Sequence, residues 1–164
     1  MKKIIALFTF SLLYFTSAWS QTLNFDQVKL DKGGDYKVAE PEALKAASYI
    51  LATPFEKDDL SRLRSLQFII KWMSGTPDYT FSLDKGATKI IKGNDDMLGL
   101  YMACMTKYVL ENQSSAKDEK LVKLNSVKLL LDYCENSNNN IKLTKQLKKL
   151  SEANKKGELE KELE

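Results

Sequence analysis

Read by its hydrophobic spacing, the chain is a succession of amphipathic helices separated by polar breaks. Residues 21–38 open with Leu23 alternating with Phe25, then Val28 and Leu30, before Asp31-Lys32-Gly33-Gly34-Asp35 halts any regular element. This predicts an extended lead, most regular at 22–30, lying across a helical body. Glu40-Pro41-Glu42 suits a helix start, because proline fits the first turn and acidic groups suit its positive end. Leu44, Ala47, Ile50 and Leu51 form that helix's apolar stripe, and Pro54 ends it.

A second helix is predicted over 58–73, where Asp58 can cap it, and it carries two apolar sides. Leu60, Leu63, Leu66, Ile70 and Met73 recur at three-to-four spacing, while Phe68 and Trp72, one turn apart, point nearly opposite. Two apolar faces require two partners. Either the helix is sandwiched between neighbours, or the Phe68 and Trp72 side is exposed as a recognition surface. Tyr79, Phe81 and Leu83 then alternate with polar residues over 79–84. So short an extended segment must pack its aromatic side on the helices or pair with the lead near Leu23 and Phe25. Residues 87–91 have room for one helical turn.

Asn94, Asp95 and Asp96 supply caps for a third helix running to about residue 110, with Met97, Leu98, Tyr101, Met102, Met105, Tyr108 and Val109 over one broad side. Leu100, Ala103, Cys104 and Leu110 fill much of the rest, which marks this helix as central. A short polar link at 111–117 makes the third and fourth helices antiparallel neighbours. Leu121, Leu124, Val127, Leu131 and Cys134 form the fourth helix's stripe, widened by Leu130 and Tyr133, and the asparagine-rich 136–140 breaks it. The last helix sets Leu143, Leu147 and Leu150 on a narrow seam among Lys142, Lys145, Lys148 and Lys149, then frays into an acidic tail at 156–164. The sum is an all-α, single compact domain of about five helices over 39–155, with the third helix central.

Ahead of this body lies a segment of different character. Lys2 and Lys3 precede an apolar run from Ile4 to Trp19, and Ala18-Trp19-Ser20 places small residues where a signal peptidase reads. The pattern predicts a leader at 1–20 cut before Gln21, and therefore a periplasmic or secreted protein. The competing reading is an uncleaved anchor, but about 16 apolar residues fall short of the roughly 20 that span a bilayer. After cleavage no integral membrane span is expected.

Composition narrows the chemistry. The formal charge of +3 counts Lys2 and Lys3, so the exported part carries +1, far from the concentrated positive charge that selects nucleic acid. The chain has no histidine, which excludes Ser-His-Asp and Cys-His catalysis and every zinc site built on imidazole. Cys104 and Cys134 would meet an oxidising compartment. In an antiparallel hairpin they are offset by roughly 12 Å at 1.5 Å per residue, beyond the about 7 Å between Cα atoms that a bridge tolerates. Two buried free thiols are expected.

The run from Lys71-Trp72-Met73-Ser74-Gly75-Thr76-Pro77-Asp78-Tyr79-Thr80-Phe81 to Gly93-Asn94-Asp95-Asp96-Met97-Leu98-Gly99-Leu100-Tyr101 resembles a family of small, secreted, helical bacterial proteins. The resemblance covers about residues 40–112. It implies a helical envelope protein and brings no activity, cofactor or catalytic residue with it.

The candidate binding residues are Phe68, Trp72, Asp78, Tyr79 and Phe81. Amphipathic aromatics in a turn stack on sugars or peptides while a nearby carboxylate fixes orientation; equally, such rings seal the edge of a core. Capping accounts for Asn94, Asp95 and Asp96 without a cation, core packing accounts for Met102, Cys104 and Met105 without copper, and no cofactor or metal is expected. The function expected is a non-catalytic binding or interaction protein of the bacterial cell envelope, with a protein or envelope polymer as ligand. The alternative is a small hydrolase of envelope polymers using two carboxylates drawn from Glu40, Glu42, Asp58, Asp59, Asp78 and Asp84, which requires a cleft bringing two acids together.

Overall fold

Eight α-helices and one 3-10 turn build the residues that the computed structural model describes, 23–91 and 95–164. They are α1 (Gly33–Val38), α2 (Glu40–Ala52), α3 (Leu60–Gly75), α4 (Lys85–Ile91), α5 (Asp95–Glu111), α6 (Glu119–Glu135), the 3-10 turn Ser137–Asn139, α7 (Lys145–Lys155) and α8 (Leu159–Glu162). The fold is all-α in a single compact domain, with no strand among the described residues. The leader, Asn94 and the side chain of Asp95 lie outside the described residues.

The predicted third helix, α5, is the hub. It packs on α2, α3, α4 and α6, burying Met97, Leu100, Tyr101, Ala103, Cys104, Met105 and Val109. Helix α2 reaches both α5 and α3 by presenting Ala43, Ala46, Ala47 and Ile50, small side chains that let three backbones approach closely. The expected Leu44 and Leu51 sit half-buried on the flanks of that stripe. Cys104 on α5 and Cys134 in the last turn of α6 are both buried and free, and Cys134 Sγ lies 4.0 Å from Met97 Sδ.

Helix α3 is turned the other way from the reading that puts Phe68 and Trp72 on the surface. Phe68, Ile69 and Trp72 are buried together with Arg62 and Ser65, whereas Leu60, Leu63 and Ile70 are 67, 50 and 42% exposed. Two physical reasons set this rotation. The aromatic side buries the larger area, and its polar members find partners inward: Trp72 Nε1 donates to the Tyr36 carbonyl at 3.0 Å, and Arg62 donates to the end of α2.

The lead lies across the body, with Leu23, Phe25 and Leu30 buried and the Phe25 ring stacked 4.4 Å from that of Phe68. It is not extended to its end, because Gly33 begins α1. The Asp35 carboxylate folds back to accept the backbone N–H groups of Asp31 and Lys32, satisfying donors that a helix start leaves open and holding its own carboxyl below the usual range. At the other end the tail does not fray. Gly157, at φ +73°, closes α7 in a Schellman arrangement with Glu158 N donating to Ala153 O at 2.8 Å, and α8 then buries Leu159 and Leu163. The Leu163 carbonyl accepts Lys123 Nζ at 2.8 Å and passes so near Gly86 that a Cβ there would lie 2.7 Å from it.

Replacing Trp72 by alanine is expected to lower the unfolding free energy by about 3–5 kcal/mol, while Leu63→Ala changes it by less than about 0.5 kcal/mol. Urea denaturation of the two variants reads this directly. The opposite ranking would mean that the leucine side of α3 is the core.

Candidate functional site

The five residues singled out from the sequence form one neighbourhood, but mostly an internal one. Trp72, fully buried, has the Tyr79 ring at 5.7 Å and the Phe81 ring at 5.9 Å, both tilted, and those two rings are 6.4 Å apart. The 79–84 segment therefore packs its aromatic side on the helices rather than pairing with the lead. Phe68 is held by Phe25 instead. Tyr79 and Phe81 are half-buried, and only Asp78 is exposed. The Phe68 and Trp72 face is thus not a recognition surface, since stacking on a ligand needs a ring face free of protein.

Glu40 ties this cluster down. Its Oε1 accepts Lys37 Nζ at 3.0 Å and the Tyr79 hydroxyl at 3.1 Å, and its Oε2 accepts Gln113 Nε2 at 3.5 Å. Burial and the hydrogen bond to that carboxylate push the Tyr79 phenol up to about 12.

The residue that sequence reasoning missed is Arg62. Its Nη2 carries two N–H groups and sits among acceptors that include the carbonyls of Ile50 and Thr53, each at 2.8 Å, that of Pro54 at 3.2 Å and the Tyr133 hydroxyl at 3.0 Å, while its buried Nε has no partner. Phe55 and Tyr133 flank it, with ring centroids 5.4 and 5.8 Å from Cζ. The negative end of α2 takes the place of a carboxylate partner. One signal was available: Arg62, Ser65, Ile69 and Trp72 share a three-to-four register, so a buried Trp72 draws Arg62 inward.

With α3 so rotated, its leftover apolar side is Leu60, Leu63 and Ile70. Beside that side opens a cavity of about 360 Å³ between the end of α2, α3 and α5, lined by Phe55, Arg62, Leu63, Leu66, Gly99 and Leu100 among others. The polar side of the 79–84 segment lines a second cavity of about 230 Å³ against α5 and α6. Asp84 and Glu119 both line it, and Glu56, Asp59 and Asp96 line the larger one, so acidic side chains share both concavities. Partial burial raises the Asp84 carboxyl, but the Lys123 ammonium at 2.7 Å and the Ala87 N–H outweigh it and hold the group below its usual range. That suits a base and not an acid, whereas glycoside hydrolysis needs an acid held protonated.

No group of three or more Cys, Asp or Glu side chains among the described residues is arranged to hold a metal ion. Cys104 and Cys134 are pushed up by burial, which keeps them as thiols rather than metal-binding thiolates. No family model, no curated protein and no solved structure matches this chain.

The Tyr79 phenol gives an alkaline signature. Its folded-state pKa lies above that of a free phenol, so its stabilising share is whole below about pH 10 and is lost as the pH rises through about 12. Stability of the wild type is expected to fall more steeply over that range than stability of Tyr79→Phe. Superimposable alkaline profiles would show that Tyr79 is not held by Glu40.

Proposed function

We propose that this chain is an exported, non-catalytic interaction protein of the bacterial cell envelope, and that the outer side of α3 is where a protein partner docks. The observation that carries the reading is the coincidence of three exposed aliphatic side chains, Leu60, Leu63 and Ile70, with an apolar cavity opening beside them. Isolated exposed leucines are ordinary, but a row of them bordering a pit lined by Phe55, Leu66 and Leu100 is a place for an apolar side chain to insert and lose its water. Glu56, Lys57, Asp59, Arg62 and Asp96 line the same pit, so charged side chains stand beside its apolar wall.

The address rests on the leader pattern at 1–20. No helix among the described residues is long and apolar enough to cross a membrane. Absence of histidine and the ionised state of Asp84 favour binding over catalysis.

The double variant Leu60→Asp, Leu63→Asp is expected to keep its stability within about 1 kcal/mol of the wild type, since both positions are exposed, and to lose a partner that the wild type retains from envelope extract. Identical capture by the two proteins would remove α3 from the reading. N-terminal sequencing of the exported protein tests the address: a chain starting at Gln21 supports it, and Met1 retained in membranes overturns it.

A further inference from the structure

Five of the six described tyrosines have their hydroxyls occupied. Tyr36 donates to the Leu30 carbonyl, Tyr49 to Asp59, Tyr79 to Glu40 and Tyr133 to the Thr53 carbonyl, and Tyr108 pairs with Ser115. Tyr101 is the exception: its residue is completely buried and its hydroxyl has no hydrogen-bond partner. A buried hydroxyl left open in this way is costly, and folding alone would be served as well by phenylalanine. Tyr101 does, however, line the cavity of about 230 Å³ between the 79–84 segment, α5 and α6.

The other groups around that cavity are polar and electrically balanced. The period-two alternation that turns Tyr79 and Phe81 toward Trp72 turns Thr80 and Ser82 onto the cavity. Asp84 is neutralised by Lys123 at 2.7 Å, and Glu119 and Lys120 add one charge of each sign to the lining. Met105 and Val122 supply apolar wall. An anion would meet Asp84 and Glu119, a cation would meet Lys120 and Lys123, and neither is favoured. A molecule with several hydroxyls and a C–H face satisfies all of them. The space equals about eight waters at roughly 30 Å³ each, below the 300 Å³ or so where drug-sized pockets begin, which limits the occupant to a single sugar ring or a short polyol.

We propose that the cavity lined by Thr80, Ser82, Tyr101 and the Asp84–Lys123 pair is a binding site for a small, uncharged, hydroxyl-rich molecule, with the Tyr101 hydroxyl hydrogen-bonding the ligand. Burial and the nearby Asp84 charge raise the Tyr101 phenol far above its ordinary value, so it stays a donor throughout the physiological range. The site is independent of the α3 face and stands or falls separately from it.

The test titrates the purified full chain with glucose, galactose, N-acetylglucosamine and glycerol, and with gluconate and glucosamine as charged counterparts, following binding by calorimetry and saturation-transfer NMR. At least one neutral probe is expected to bind, with affinity falling about tenfold in Tyr101→Phe and falling again in Ser82→Ala. Tyr101→Phe removes a hydroxyl without changing the ring, so it is expected to fold at least as well as the wild type, and thermal unfolding checks that. Binding that is undiminished in Tyr101→Phe overturns the proposal. So does the absence of binding by every neutral probe at millimolar concentration, or tighter binding of gluconate or glucosamine.

Discussion

Arg62 is the interaction on which the arrangement turns. A guanidinium almost wholly removed from water is tolerable only where acceptors converge on it, and here they are the carbonyls of Ile50, Thr53 and Pro54 at the end of α2, closed in by Tyr133 from α6. That one side chain therefore fixes the rotation of α3, its position against α2 and the reach of α6. Once Arg62 faces inward, Trp72 must face inward as well, ten residues further along the same stripe. The indole N–H then needs an acceptor, and the Tyr36 carbonyl supplies it at 3.0 Å. So the lead is docked by the same rotation that buries the arginine, and the leucines at 60 and 63 are left outside as its consequence.

The sequence made the long helices legible because their apolar spacing is dense and their breaks are chemically marked. The central role of α5 follows from a stretch with one charge between Met97 and Leu110. The asparagine-rich break is equally plain, although Asn139 does more than interrupt: its side chain donates to the Tyr133 carbonyl and its own carbonyl accepts Phe55 N–H. What could not be read was which of two apolar stripes α3 buries. The leucine stripe looks purer, since the aromatic one contains an arginine and a serine. Only the three-dimensional placement of the α2 carbonyls makes that arginine an inward residue. The same limit applies at both ends of the chain. Asp35 converts a glycine pair into a helix start through backbone bonds that composition does not advertise, and the acidic tail docks because α8 packs on α7, Leu159 and Leu163 are buried, and the Leu163 carbonyl meets Gly86 of α4 and Lys123 of α6.

The candidate site shows the same division. The sequence sets an indole, a phenol and a phenyl ring close together in the aromatic turn, and the structure brings Trp72, Tyr79 and Phe81 into one cluster. It gathers them as packing. Their contribution to any surface is indirect: by fixing the register of the 79–84 segment they determine that Thr80 and Ser82, and not their neighbours, line the cavity against α5.

Helix α5 connects the two concavities through residues adjacent in sequence. Gly99 and Leu100 line the apolar one and Tyr101 the polar one, so roughly a single turn of helix separates their walls. Such a wall is stiff, because α5 is packed on four other helices and close-packed interiors resist small displacements. Occupation of either cavity then has little room to reshape the other, and the molecule reads as a rigid body presenting two preformed surfaces. Rigidity of this kind reduces the ordering cost of association, which is a benefit to a protein that binds and of no use to one whose chemistry depends on a closing lid. The hydrolase reading would need such motion or a protonated acid, and the Asp84–Lys123 pair, anchored in turn to the Leu163 carbonyl, provides neither.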